Sequence, residues 1–390
     1  MGGEKSVFWI DAEALMDAAQ QKCGLRDFED PTFPERLQRF VEVLNAGHFS
    51  PEARDQVIDQ VSDTLVARLQ IADARMQNPA VSAERIEQPL MVTGLPRSGT
   101  TLLHSLLVED PANRGPRLAE ILDPTLPAEL GSVEPDRLRE LDLRNERFLE
   151  AIPRMIQAHP YLDMGARSLM ECESWPALDF RNTYPNLFHR AQMSLEVLTD
   201  DPPGHYAFHR AFLQHRQHGA APRRWALKGT EHQYNLELVR NVYPDARVIW
   251  IHRDPLKVVP SFLELLAMMR EALVGPVDRP ALAAETLPAT AERIDALLSD
   301  PLLDADFVCH VHYLDFMQDP ARAVREIYGR FELPFSKAFA ERLEAWTDEN
   351  ALTRHGKWEY ALADFDLSAS DVEKHFANYR ERFGIHVEDR

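Results

Sequence analysis

The stretch Leu90–Leu107, LMVTGLPRSGTTLLHSLL, constrains this chain more than any other. An apolar run ends at Gly94, four residues pass, and Gly99 is followed by two threonines. That is the spacing of the nucleotide-binding loop GxxxxGK[ST], with Thr100 where lysine would stand. A strand that turns tightly into a helix aims several backbone N–H groups and the positive end of the helix dipole at one point, which makes an anion cradle. Gly94 and Gly99 permit close backbone approach, and Arg97 with the hydroxyls of Ser98, Thr100 and Thr101 can donate to phosphate oxygens. The lysine that reaches a γ-phosphate is missing, and no apolar strand ending in aspartate offers itself to magnesium. A nucleoside triphosphate is therefore a poor fit.

The rest of the chain supplies the setting. The first eighty residues read as helices, FWIDAEALMDAAQQ, PERLQRFVEVLN and a long third helix with Ser50 as its N-cap and Pro51 at its first position. PLMVTG is a short buried strand and TTLLHSLLVED the helix that follows the glycine loop. Residues 130–220 read as mostly helical. RRWALKG, NLELVRNVYPDA, RVIWIHRDP and LKVVPSFLELLAMMR then alternate strand, helix, strand, helix, and CHVHYLDFMQDP gives one more strand. Such alternation implies βαβ units and a parallel sheet. The expected fold is α/β, a P-loop-type parallel sheet flanked by helices. Residues 1–85 are expected as a helical region packed on a core of residues 86–390, with a helical insertion at about 130–220.

Acidic residues number 63 against 43 basic, and a net charge of −20 argues against nucleic acid or an anionic membrane as partner. Three scattered cysteines, Cys23, Cys172 and Cys309, fit a reduced compartment. No apolar run approaches the length of a membrane span, and the expected location is cytoplasmic.

A second constellation bears on the loop. Lys228 stands near the end of one predicted strand, Arg253 at the end of the next, and Ser261 in the following turn or helix start. In an open parallel sheet those ends share the rim that carries the glycine loop. PRSGTT followed by LKGTEHQ and then YPDARVIWIHRDPLKVVPS resembles the sulfotransferases that use 3'-phosphoadenosine 5'-phosphosulfate (PAPS). Within them it is most similar to the bacterial branch with a long helical N-terminus.

The resemblance implies that the PRSGTT loop, Arg97 to Thr101 with Gly99, binds the 5'-phosphosulfate, and that Arg253 and Ser261 bind the 3'-phosphate. It implies PAPS as donor with no metal, adenosine 3',5'-bisphosphate as product, and Lys228 at the position of a catalytic lysine in the tyrosylprotein sulfotransferases. Tyr313 matches a family tyrosine near the nucleotide, and Lys357, in the divergent loop HGKWEYALADFDL, is a further candidate for the 3'-phosphate. For the base that takes the acceptor's proton, Glu120 is the expectation, with His232, His159, Glu171 and His104 as rivals; His104, on an apolar helix face, reads as a packed residue. Cytosolic aryl sulfotransferases use histidine in this role.

Two other patterns are set aside. HRDP at His252–Pro255 lacks the asparagine and DFG that a kinase loop requires. His205, His209, His215 and His218 have no nearby carboxylate or cysteine to complete a metal site and read as solvated or core histidines. Aromatic residues Phe148, Tyr161, Trp175, Phe180, Phe188 and Phe212 are expected, with the N-terminal helices, around a small lipophilic alcohol or phenol. A homodimer is the expectation for assembly. The competing readings are a P-loop-type phosphotransferase and a nucleotide-binding protein without catalysis.

Overall fold

The computed structural model describes residues 9–46, 51–181, 201–349, 356 and 358–388. Five strands form one parallel sheet: β1 (Leu90–Gly94), β2 (Asn113–Arg114), β3 (Arg224–Lys228), β4 (Arg247–His252) and β5 (Val308–His312). Their order is β2-β3-β1-β4-β5. Leu90 pairs with Ala226 on one side and Arg247 on the other, so β1 is central, and every residue of it is buried.

Successive side chains of a strand point to opposite faces, and the core divides accordingly. Leu90, Val92, Ala226, Ile249 and Ile251 pack with Leu103 and Leu106 of the helix Thr100–Val108 and with Val324 and Ile327 of the helix Pro320–Arg330. Met91, Trp225, Leu227, Val248 and Trp250 pack on the other face, against Val258 and Leu263 of the helix Pro255–Val274 and Leu287 and Ile294 of the helix Arg279–Leu297. Helices therefore cover both faces, the condition under which parallel strands read as unbroken apolar runs. The expected fold class is the one observed. The two-residue edge strand β2 has too little sequence to carry a pattern of its own.

The N-terminal helices Ala12–Cys23, Phe33–Ala46 and Pro51–Gln77 share an apolar cluster that includes Phe33, Leu37, Phe40, Val61 and Leu65. Asp11 caps the first by accepting from the Ala14 N–H, and Gly24, at φ 75°, ends it in the left-handed conformation that glycine favours. The expected cap at Ser50 lies outside the described residues. The cluster is tied to the body by the buried Asp179, whose carboxylate takes Arg36 at 2.8 Å, Arg68 at 2.6 Å and Arg181 at 2.7 Å. Removing one partner from such a cluster leaves a desolvated charge, a loss of about 3–5 kcal/mol. Through this anchor the long helix Pro51–Gln77 is held where it walls the site described next.

Candidate active site

The C-terminal ends of the strands meet on one rim. After β1 the chain turns through Leu95–Gly99 into the helix Thr100–Val108. Gly94 sits at φ 145°, and a Cβ there would come within 2.4 Å of the Ile251 carbonyl oxygen. Gly99 sits at φ 100°, with Tyr313 carbons at 2.9 and 3.0 Å from where its Cβ would be. Arg97 itself adopts φ 71°, an uncommon and strained conformation for a residue with a side chain. Ser98 is fully buried and its hydroxyl has no protein partner among the described residues. A buried hydroxyl left unmatched costs about 1–3 kcal/mol unless a ligand satisfies it, so the loop suits a bound anion.

Lys228, the last residue of β3, is almost fully buried; its Nζ lies 3.0 Å from Thr101 Oγ1 and 2.5 Å from Glu171 Oε1. Arg253 directly follows β4. Its Nη1 donates to the Arg97 carbonyl at 3.0 Å, while Nε and Nη2 donate to Glu388 at 2.9 and 3.1 Å. Its guanidinium lies 4.0 Å above the ring of Tyr313, the first residue past β5. Arg97 Nε donates to Ser261 Oγ at 3.1 Å, an oxygen that also accepts from Trp358 Nε1 at 3.1 Å. The structure thus brings Arg97, Ser98, Gly99, Thr100, Thr101, Lys228, Arg253, Ser261 and Tyr313 to one rim. Lys357 lies outside the described residues.

A largely apolar cavity of about 440 Å³ opens beside this cluster. Thr101, Lys228, Glu171 and His159 supply polar groups to its lining. Phe262, Leu265, Leu266 and Met269 line it from the helix Pro255–Val274, at the i, i+3, i+4, i+7 spacing of one helical face. Val57, Gln60, Thr64 and Ala67 line it from the helix Pro51–Gln77. Burial, with the cations of Arg97 and Lys228 close by, lowers the His159 pKa to about 3 and keeps its ring neutral.

Two expected catalytic residues are placed elsewhere. Glu120 is the third residue of the short helix Leu118–Leu122, and its carboxylate turns back to accept the Arg117 backbone N–H at 2.9 Å. Its other oxygen takes Arg114 at 3.0 Å and Arg216 at 3.3 Å, and it does not line the cavity. His232 is fully buried behind Lys228, against Tyr206 OH at 2.8 Å and Cys172 Sγ at 3.1 Å. Its position in KGTEH puts it on the turn that leaves the rim, and it does not line the cavity. Of the rivals, Glu171 and His159 line the cavity, whereas His104 is buried with its Nε2 2.9 Å from the Ala226 carbonyl, as a packed residue would be.

The other expectations divide similarly. His205 and His209 are buried, His215 lies 2.9 Å from the Pro124 carbonyl, and His218 pairs with Glu84. Of the aromatic residues, Phe148 and Tyr161 line the cavity. Trp175 and Phe212 belong to the central core, and Phe180 packs on the N-terminal cluster. They fill space between elements because large rings are the cheapest way to remove apolar area from water. Phe188 lies outside the described residues. Sequence reasoning missed Glu388, in a polar terminal segment with no pattern to mark it. It also missed the cavity face of the helix Pro255–Val274, for which the spacing of Phe262, Leu265, Leu266 and Met269 was a usable signal.

Comparison with known proteins gives consistent results. A sequence model of the sulfotransferase family matches residues 89–337. The omega-hydroxy-beta-dihydromenaquinone-9 sulfotransferases of Mycobacterium tuberculosis (strain CDC 1551 / Oshkosh) and Mycobacterium bovis are each 22% identical to this chain over 316 residues, covering 76% of it and 75% of the relative. The crystal structure of sulfotransferase STF9 from Mycobacterium avium superposes with a TM-score of 0.85 at 26% identity, over 100% of both chains. That of sulfotransferase STF1 from Mycobacterium tuberculosis H37Rv does so with a TM-score of 0.77 at 25% identity, over 95% of this chain and 99% of the other.

Proposed function

The chain belongs to the sulfotransferase family, and on that premise we propose that it transfers the sulfuryl group of PAPS to a hydroxyl of a lipophilic alcohol or phenol. The observation that carries this reading is the position of Lys228, whose ammonium touches both the anion loop, at Thr101, and the apolar cavity, at Glu171. Donor and acceptor chemistry would meet at that group.

PAPS carries phosphate at two ends, and the rim offers cations for both. The loop N–H groups, Ser98, Thr100 and Thr101 suit the phosphosulfate, with Gly99 allowing close approach. Arg253 suits the 3'-phosphate, since a guanidinium can grip a phosphate with two parallel hydrogen bonds. Ser261 and Arg97, joined at 3.1 Å, stand between them, and the Tyr313 ring supports the Arg253 guanidinium. In the transfer, a bond forms between the acceptor oxygen and sulfur while the bond from sulfur to the phosphate oxygen breaks. Lys228 would stabilise the charge growing on the departing oxygen.

Glu171 is the base this geometry favours. It lines the cavity, and Lys228, drawn toward the departing oxygen, would leave its carboxylate to accept the acceptor's proton. His159 is the weaker alternative, because a ring with its pKa lowered to about 3 resists the protonation a base must undergo. The apolar walls fit an acceptor whose bulk is hydrocarbon or aromatic, as in the hydroxylated menaquinone named for the mycobacterial relatives.

Labelled PAPS offered with a panel of hydroxylated lipids and phenols, and products identified by mass spectrometry, tests the activity. Lys228→Ala should lower kcat about 10²–10³-fold and leave the affinity for adenosine 3',5'-bisphosphate within a few-fold. Unchanged turnover would remove Lys228 from the mechanism.

A further inference from the structure

Beneath the rim lies a group of side chains that the transfer reaction does not use. Cys172 directly follows Glu171 and opens the short helical turn Cys172–Ser174, His209 comes from the helix Pro202–Gln217, and His232 from the turn Thr230–Tyr234. All three are 0% exposed, and none lines the cavity. The Cys172 sulfur and one ring nitrogen of each histidine lie within 4.8 Å of one another. We propose that Cys172, His209 and His232 form a binding site for a soft monovalent cation, Cu⁺.

Two features make this a built site. First, each imidazole has a tyrosine hydroxyl on its Nδ1: Tyr206 lies 2.8 Å from His232 and Tyr243 lies 2.6 Å from His209. A partner on the second nitrogen is the usual support of a metal-binding histidine, because it fixes ring orientation and tautomer. In the tautomer whose Nδ1–H donates to the phenol oxygen, each Nε2 keeps its lone pair. Second, among the described residues neither Nε2 is taken up by a protein hydrogen bond other than that with Cys172. Nε2 of His232 is 3.1 Å from Cys172 Sγ, and Nε2 of His209 is buried with no protein partner among the described residues.

Charge selects the ion. One thiolate and two neutral imidazoles sum to −1, so a monovalent cation gives a neutral complex. A divalent cation would leave an uncompensated charge in a pocket walled by Trp175, Tyr206 and Tyr243, all in the central apolar core. Thiolate with imidazole is also a ligand set that suits soft copper, whereas a carboxylate-rich set would suit harder ions. The sequence spacing alone hid the site, because the thiol that completes it is 37 residues from His209 and 60 from His232 along the chain.

The test uses the whole protein under anaerobic conditions, with Cu⁺ buffered by a colorimetric chelator. One equivalent should be retained per chain, and X-ray absorption should show one sulfur and two nitrogen neighbours. Cys172→Ser and His209→Gln, each checked for fold by circular dichroism, should lose affinity at least about a hundredfold. The absorption measurement needs no variant and decides the question even if both variants unfold. Each of four results would overturn the proposal: no copper retained, a copper shell without sulfur, equal retention by a folded Cys172→Ser chain through Cys23 or Cys309, or preferential retention of Zn²⁺.

Discussion

Glu171 and Glu120 are the same carboxylate in two settings, and the settings assign them different work. Glu120 spends its oxygens on a backbone N–H and on Arg114 and Arg216, inside the protein. Glu171 shares one oxygen with Lys228 and faces the cavity. Glu120→Gln should therefore lower stability by about 3–5 kcal/mol, since it strands two buried guanidinium groups, while the folded fraction keeps its kcat. Glu171→Gln should lower kcat about 10²–10⁴-fold with little change in nucleotide affinity. Denaturant unfolding set beside single-turnover kinetics separates the two, and the opposite pattern would return Glu120 to the chemistry. A third carboxylate, Glu388, holds Arg253 through the Nε–Nη2 edge of its guanidinium, where a phosphate is proposed to bind. An incoming phosphate must displace it. Glu388→Gln should tighten binding of adenosine 3',5'-bisphosphate about fivefold in calorimetry, and an unaltered affinity would show that the carboxylate does not compete.

At the scale of elements, the geometry of the glycine loop was legible because its signals are contiguous. A strand, a tight turn with glycine at two fixed positions and a helix N-terminus occupy ten or so residues, and each part has a local signature. Lys228, Arg253 and Ser261 were legible for a related reason, since parallel strands place their C-terminal ends on one rim whatever lies between. The acceptor side was not. Its wall joins one face of Pro51–Gln77 to one face of Pro255–Val274, and only tertiary packing decides that these faces meet across a cavity rather than closing on each other. Glu120 misled for an element-level reason: within a five-residue helix, its third position made it a cap. The loop's own geometry gives the prediction here. Gly99→Ala forces a side chain into φ 100° and against the Tyr313 ring, at about 1–3 kcal/mol of local strain. Because the strain falls on the cradle, affinity for adenosine 3',5'-bisphosphate should drop tenfold or more while the sheet stays intact. Gly94→Ala meets the Ile251 backbone carbonyl and should instead lower the melting temperature of the whole fold. Equal losses of stability in the two variants would contradict this division.

Taken whole, the molecule keeps several histidines neutral inside it, and that sets its response to acid. His104, His205, His209, His232 and His252 are all buried, and desolvation depresses the pKa of each below 6.5. In the unfolded chain the same rings titrate near 6.5, so below that pH the unfolded state binds protons that the folded state refuses. The depressed folded values mean that stability is fully present above about pH 6.5 and is lost as pH falls below it. Each ring charged only on unfolding contributes a slope of about 1.4 kcal/mol per pH unit, and five in parallel would consume a typical domain's stability within one or two units. Carboxylates do not confuse the window. Asp30, although its burial works the other way, is lowered to about 2 by hydrogen bonds from the Thr32 hydroxyl and N–H and by Arg36, so its contribution is lost only below about pH 3.8. Urea unfolding at pH 7, 6 and 5 should therefore show a free energy that falls progressively more steeply toward pH 5, with net proton uptake of more than one per chain. A change of less than about 1.4 kcal/mol between pH 6 and pH 5 would mean that fewer than one of these rings is held neutral, and that the packing beneath the rim is looser than described.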